Sequence, residues 1–184
     1  MSRPAGQITD TEPLELWEYE LIIAKLETHW QLFYALLWET GARASEALNL
    51  TRKDFENMGV WITSAKRKDH LRVHQPLSLD LYNRFQAYFQ FNHRQKIFYN
   101  SATGRVYTES AAWLALKKAC AEAGMRPSIH PHSFRHGLGT RARQAGYDIA
   151  TVQRLLRHKD MRSTERYFKA TKTEVEAAFR ELNK

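Results

Sequence analysis

The sequence predicts an α+β fold that is mostly helical and carries one small antiparallel sheet. Three observations predict it. Apolar residues return at helical spacing in segment after segment of the 184-residue chain. Two short stretches, "GVWITSA" and "LRVHQPLS", instead alternate apolar and polar residues with β-branched members, as strands do. Only the charged "KRKDH" separates them, so they read as the arms of a hairpin.

The elements follow in order. Residues 14–26, "LELWEYELIIAKL", form a helix with a broad apolar face, entered through Pro13. "WQLFYALLWETG" is a second, largely buried helix that Gly41 closes as a left-handed cap. "RASEALNL" is a short third helix, and the hairpin comes next. "LSLDLYNRFQAYFQF" returns to helical spacing, and "NSATGR" is a turn. "TESAAWLALKKACAEAG" is a helix with Thr108 as N-cap and Gly124 beyond its end. A helix from about Pro131 to Ala145 stops at Gly146, and the next starts from Asp148 with Ile149, Val152, Leu155 and Leu156 on one face. A short helix is expected from Thr164 to Ala170. The tail "TKTEVEAAFRELNK" has overlapping capping boxes, Thr171 with Glu174 and Thr173 with Glu176. Its apolar stripe, Val175, Ala178, Phe179 and Leu182, suits packing on its own domain or docking elsewhere.

Composition is that of an ordinary globular protein, 43% hydrophobic and 12% aromatic, with five prolines and eight glycines. No repeat or domain boundary stands out, so residues 1–184 are expected to form a single domain with a tail over about 1–12. No apolar run reaches the roughly 18 residues of a membrane span. The first residues, Met1 to Gly6, lead into polar sequence and not into the apolar run of a signal peptide, and no membrane partner is expected. The single Cys120 can form no intrachain disulfide, and a cytoplasmic location is expected. From Arg126 to Lys172 there are 11 Lys or Arg against Asp148, Asp160 and Glu165, while the remaining 17 basic and 17 acidic residues cancel. The whole +8 excess therefore sits in one stretch. Charge alone leaves two readings, a polyanionic partner such as nucleic acid or a solvated basic face.

Within that stretch, "HPHSFRHGLGTRAR" (residues 130–143) gathers three histidines and three arginines. His132 and His136 are four apart, as in two-histidine zinc motifs, but no acid lies between them. Arg135, Arg141 and Arg143 stand where a third ligand should be, and they disfavour a dication. Histidines satisfied at helix ends or in a core are the bland alternative. Phosphate chemistry accounts for more of the pattern. Arginine's planar fork matches two phosphate oxygens at any working pH. His132 lies one turn from Arg135, and imidazole can donate to phosphate or take a proton. Downstream, His158 adds a donor, and Tyr167 follows Arg162 and Arg166. A phenol, with a pKa near 10, attacks well only when cations and a base stabilise the phenolate. From the residues alone, a tyrosine in a short amphipathic helix is more often a packing residue than a nucleophile, and Tyr167 reads first as packing.

Four boxes together resemble the tyrosine recombinases, the lambda-integrase family of DNA breaking and rejoining enzymes. "HSFRH", "IATVQRLLRH" and "STERYFKA" look like its C-terminal boxes, and "ETGARASEALNL" resembles its first arginine box. The hairpin "SAKRKDHLRVHQPL" resembles the one that carries the family's lysine. The motifs span residues 40–168 in the family's order and spacing. The resemblance implies a lambda-integrase-like catalytic domain acting on double-stranded DNA with neither metal nor ATP nor any cofactor. Arg43 and Arg135 would clamp the scissile phosphate, with Glu46 supporting Arg43. His132 would act as base or phosphate donor, and His158 would donate to the phosphate in the transition state. Lys66, with Lys68 as its rival, would protonate the departing 5′-oxygen. Tyr167 would attack, leaving a 3′-phosphotyrosyl link.

The same resemblance makes His136 a supporting residue and Lys68, Arg141, Arg143, Arg157, Arg162 and Arg166 candidate DNA contacts. It also implies a homo-oligomer, dimer or tetramer, on DNA, with the helix of about residues 171–184 docking on a neighbouring protomer. Two departures stand out: Arg157 replaces the glycine usual before the third-box histidine, and Ala42 replaces a leucine. If Met1 is the natural start, the chain resembles short members such as the fimbrial-switch invertases; a chain trimmed to its catalytic domain is the other reading. The expected job is integration, excision, inversion or resolution. A plasmid relaxase or type IB topoisomerase using the same chemistry, and a non-enzymatic DNA-binding protein on the same scaffold, are the rivals.

Overall fold

Helical spacing with buried aromatics dictates where the core forms. The computed structural model describes residues 12–64, 71–168 and 172–182. They fall into two compact units, one up to Leu138 and one from Gly139 onward.

In the first unit, α1 (Leu16–Ile23), α2 (Thr28–Thr40) and α3 (Ala44–Leu48) follow in succession. Helix α2 is nearly buried all round, through Trp30, Leu32, Phe33, Tyr34, Leu36 and Leu37. Its aromatics interlock edge to face, Phe33 with Phe98 at 5.1 Å and Phe33 with Tyr34 at 5.0 Å between ring centres. The Tyr34 hydroxyl reaches the Ala112 carbonyl at 2.6 Å, which ties α2 to α5 (Glu109–Glu122), and burial pushes this phenol's pKa upward. Thr108 caps α5 by accepting from Ala111 N at 3.2 Å, and Gly124 follows with φ +68. Helix α4 (Leu79–Phe91) buries Leu81, Phe85 and Phe89.

The sheet has three strands, one more than the alternation predicts. The added strand is β1 (Phe55–Glu56), antiparallel to β2 (Gly59–Thr63), which pairs with β3 (Arg72–Pro76). Asn57 and Met58 both have positive φ in the two-residue β1–β2 turn, without the asparagine–glycine signal that marks such turns. Val60 and Ile62 face the core, while Trp61 pairs with His74 on the opposite face. The last described rung of the hairpin is Ser64 N to Leu71 O at 2.9 Å. Lys66 and Lys68 lie outside the described residues.

Helix α6 (Pro131–Gln144) begins in the first unit, where Phe134 is fully buried against Tyr34 at 4.9 Å. The second unit continues with α7 (Ile149–Leu155), α8 (Arg162–Glu165) and α9 (Lys172–Leu182). Asp148 caps α7 by accepting from Thr151 N at 2.7 Å. Helix α8 starts earlier and is shorter than the Thr164–Ala170 expectation. Tyr167 and Phe168 follow it in tighter turns, each backbone N–H reaching the carbonyl three residues back. On α9 the stripe Val175, Phe179 and Leu182 is exposed. No helix of the described residues is long and apolar enough to cross a membrane.

A pH dependence of stability arises at His29. Its ring is half-buried, stacked on Tyr107 at 5.1 Å, and its Nε2 has no hydrogen-bond partner among the described residues. Burial holds its pKa below the ordinary imidazole value, with Glu27 pulling weakly the other way. The unfolded chain, with an imidazole pKa of about 6.5, therefore takes up this proton more readily than the folded one. The stability contributed by neutral His29 is complete above that pH and is lost as pH falls toward the folded value. Thermal melts should show Tm dropping on acidification, with a smaller drop in His29→Phe. Equal drops in the two proteins would remove His29 as a cause.

Candidate active site

A single turn positions two arginines in the first unit. Gly41 ends α2 in the left-handed region (φ 60, ψ 23), a conformation that only glycine adopts without cost, and its N–H reaches Leu37 O at 2.9 Å. The Thr40 hydroxyl donates to Leu36 O at 2.6 Å and accepts from Ala42 N at 3.2 Å. The reversed chain presents the Gly41 carbonyl to Arg135, whose Nη1 donates to it at 2.5 Å. Two residues on, Arg43 begins α3. Its backbone N–H donates to Glu46 Oε2 at 3.0 Å and its Nη1 to Glu46 Oε1 at 2.7 Å. The Glu46 side chain is 0% exposed and that of Arg43 17%. A buried carboxylate thus holds a guanidinium at the rim of solvent. Charge-assisted bonds of this kind fix orientation as well as charge.

The entry to α6 is braced from several sides. His130 N donates to Ser133 Oγ at 3.2 Å, and His132 N donates to His130 Nδ1 at 3.2 Å. Burial, His132 and Lys117 together hold the His130 pKa below its usual value, so it stays a neutral acceptor at pH 7. Lys117 donates to the carbonyls of Pro127 and Ile129, the latter at 2.7 Å, and so ties the preceding loop to α5. The outcome is an open groove of about 930 Å³, lined by Arg43, Ser45, Trp113, Lys117, His130 and His132 among others. His132 is exposed there, while Arg135 is buried.

In the second unit, α7 ends in a Schellman motif. His158 N reaches Gln153 O and Arg157 N reaches Arg154 O, both at 3.0 Å. Arg157 occupies the left-handed position of that motif, with φ +54. This explains why glycine is usual there: a side chain in this region costs about 1 kcal/mol or more. Arg157 is 4% exposed, so its guanidinium is enclosed by protein, and its Nη1 points to Leu155 O at 3.4 Å. The motif aims His158 back at α8. His158 Nδ1 and Thr164 Oγ1 are hydrogen-bonded at 2.8 Å, and the imidazole lies nearly parallel (8°) to the Tyr167 ring at 6.5 Å. Tyr167 is 7% exposed. Arg162 and Arg166 are exposed beside it in sequence, and Arg141, Arg143 and His136 are half-buried along α6.

Arg43, Glu46, His132 and Arg135 therefore belong to the first unit, and His158 and Tyr167 to the second. Sequence reasoning did not single out Gly41 as the acceptor for Arg135, Thr164 as the partner of His158, or Lys117 as the brace of the α6 entry. Each is a contact between residues that no local spacing relates. Arg126, counted among the basic excess, is internally matched. It donates to Glu18 Oε1 at 2.7 Å and Oε2 at 3.0 Å, and also to Glu12, so its charge faces protein carboxylates. Among the described residues no group of three or more His, Cys, Asp or Glu is arranged to hold a metal ion.

Comparison with known proteins identifies the fold and the family. Its fold is that of lambda-integrase-like catalytic domains. The structure of the Tn1549 transposon integrase with transposon right end DNA matches with a TM-score of 0.80 and 18% identity, over 98% of this chain and 69% of that one. The catalytic domain of bacteriophage HP1 integrase matches with a TM-score of 0.65 and 19% identity, over 92% of this chain and 94% of that one. Residues 13–174 match the phage integrase family, and the chain belongs to it. Among curated relatives, tyrosine recombinase XerD of Oceanobacillus iheyensis is 28% identical over 82% of this chain and 53% of its own length. That of Corynebacterium glutamicum is 30% identical over 79% of this chain and 49% of its own length. The chain thus spans about half the length of the curated relatives it matches.

Proposed function

We propose that the chain is the catalytic domain of a site-specific recombinase that cuts and rejoins duplex DNA through a 3′-phosphotyrosyl intermediate. The observation that carries this reading is the turn that anchors both arginines, Arg135 through the Gly41 carbonyl and Arg43 through Glu46. Two fixed forks suit the non-bridging oxygens of one phosphodiester, whose charge the transition state redistributes. Membership of the family and the XerD relatives support the same assignment.

In the proposed reaction the Tyr167 oxygen attacks phosphorus as the bond from phosphorus to the 5′-oxygen breaks. His132 takes the phenolic proton or donates to the phosphate. His158 donates through Nε2, the tautomer favoured when the Thr164 hydroxyl donates to Nδ1. Lys66, with Lys68 as the alternative, protonates the leaving 5′-oxygen. Bond energy stays in the phosphotyrosyl ester, so religation needs no ATP, and no metal takes part. Arg141, Arg143, Arg162 and Arg166 are proposed DNA contacts, His136 supports α6, and Arg157, enclosed by protein, is left out of the DNA-contacting set. Residues 1–184 act together as one domain in the cytoplasm. The exposed stripe of α9 docks on a neighbouring copy, giving a dimer or tetramer on the DNA.

The test uses a library of nicked duplexes with randomised core sequence. Covalent complexes recovered from it, and then strands joined between two different duplexes, are the expected products, unchanged by EDTA. Nicking and resealing of single duplexes without exchange would instead support a relaxase or topoisomerase. Binding without any covalent complex would support a non-enzymatic scaffold, and loss of activity in EDTA would overturn the metal-free assignment.

A further inference from the structure

Helix α6 carries a glycine at 139, inside its span of Pro131–Gln144. Glycine is among the least favourable residues within a helix, because it loses the most backbone freedom and adds no side-chain contact. The helical backbone here does not ask for it. The space beside it does. A Cβ placed on Gly139 would lie 2.6 Å from Tyr167 Cζ, 2.7 Å from Cε1 and 2.9 Å from Cε2. Ordinary contact begins near 3.4 Å, so a side chain at 139 fits only if the buried Tyr167 ring shifts.

The three atoms also say which part of the ring is involved. Cζ bears the hydroxyl and the two Cε atoms flank it, so the reactive end of the phenol lies directly on the α6 backbone. Tyr167 is 7% exposed, and its ring runs parallel to His158, which Thr164 holds in turn. Thr164 is itself fully buried, and it accepts the Tyr167 backbone N–H on its carbonyl at 3.0 Å. The nucleophile is therefore located by three neighbours: Gly139 at the phenol end, the parallel His158 ring, and Thr164 through the backbone.

We propose that Gly139 is a positioning residue for Tyr167: its missing side chain is the slot in α6 that sets where the phenolic oxygen lies. The inference rests on the assignment of Tyr167 as nucleophile. A methyl group at 139 must push the ring outward by about 1 Å, and misplacement of that size lowers a positioned reaction by about 100-fold. Duplex affinity comes from many phosphate contacts elsewhere and is unaffected.

The experiment compares the full chain with Gly139→Ala on a nicked suicide duplex selected as above. Expected is a fall of about 100-fold in the single-turnover rate of covalent-complex formation. The Kd for the duplex should stay within about twofold of the parent value. A stability cycle with Tyr167→Ala covers the case in which the variant folds poorly. With the ring present Gly139→Ala should lower Tm, and with the ring removed it should raise Tm by about 2 °C, as relief of a helical glycine does. A parental cleavage rate in Gly139→Ala, or the same sign of Tm change in both backgrounds, overturns the inference. In that case loss of the adduct in Tyr167→Phe would leave the assignment of the nucleophile standing. An adduct that persists in Tyr167→Phe overturns both.

Discussion

Tyr167→Phe should abolish covalent-complex formation while leaving the protein folded and able to bind DNA. The substitution removes one oxygen and nothing else from the ring. The seat over Gly139 and the parallel arrangement with His158 at 6.5 Å depend on ring carbons, and both survive. No other group can take over the chemistry, because a phosphodiester reacts only with a nucleophile placed in line with its leaving oxygen. Loss of a nucleophile that acts as part of a unit costs about 10⁴-fold or more, below detection on a denaturing gel. The comparison is made at equal protein occupancy, set from Kd values measured first. A variant that has lost binding together with the adduct would point to a structural role for the hydroxyl instead.

Replacing Arg135 should have the next largest effect, and the kind of replacement should matter. The guanidinium is buried and donates to the Gly41 carbonyl at 2.5 Å. Alanine deletes both that tether and the proposed phosphate fork, so cleavage should fall by about 10³-fold or more. Stability should fall as well, because a charge-assisted hydrogen bond contributes about 2 kcal/mol. For a chain of this size that is a Tm decrease on the order of 5 °C. Lysine keeps the charge without the planar fork. It can point at the carbonyl or at phosphate but not hold both, so a loss of about 100-fold is expected. Kd should change little in either variant, since one phosphate contact among many shifts the salt dependence by only about one unit of slope. Single-turnover cleavage at saturating protein separates the two quantities. A Lys variant cleaving at the parental rate would show that fork geometry is not what Arg135 supplies.

What the sequence made legible was local or repeated in several places. The Gly41 cap, the Thr108 cap and the Asp148 cap each follow from one residue type beside a periodic run, and each forms as expected. Arg43 and Glu46 are three residues apart on one short helix, so their pairing too is a matter of spacing. Strand β1 was not legible, because two residues give no alternation and Asn57–Met58 is an uncommon pair for its turn. The end of α8 was misplaced because tighter turns carry the chain on through Tyr167 and Phe168 with similar periodicity.

Site contacts divide along the same line. Arg135 with Gly41 spans 94 positions, and Tyr167 with Gly139 joins a helix to a distant turn. Neither partner looks functional in the sequence: one is a helix cap and the other a plain glycine. Arg157 shows the reverse case. It looked like an added DNA contact, and the structure places it in a left-handed, buried position before His158. Its cost to the backbone is plain, and nothing in the described contacts explains why arginine is kept there.

The proposed reaction joins Tyr167 covalently to a DNA 3′-phosphate. The direct measurement is to trap the complex on a nicked duplex, digest protein and DNA, and locate the residual nucleotide by tandem mass spectrometry. A single modified peptide, "YFK", with the 3′-linked nucleotide on Tyr167, is expected. A nucleotide on any other residue, or a 5′-linked one, would contradict it.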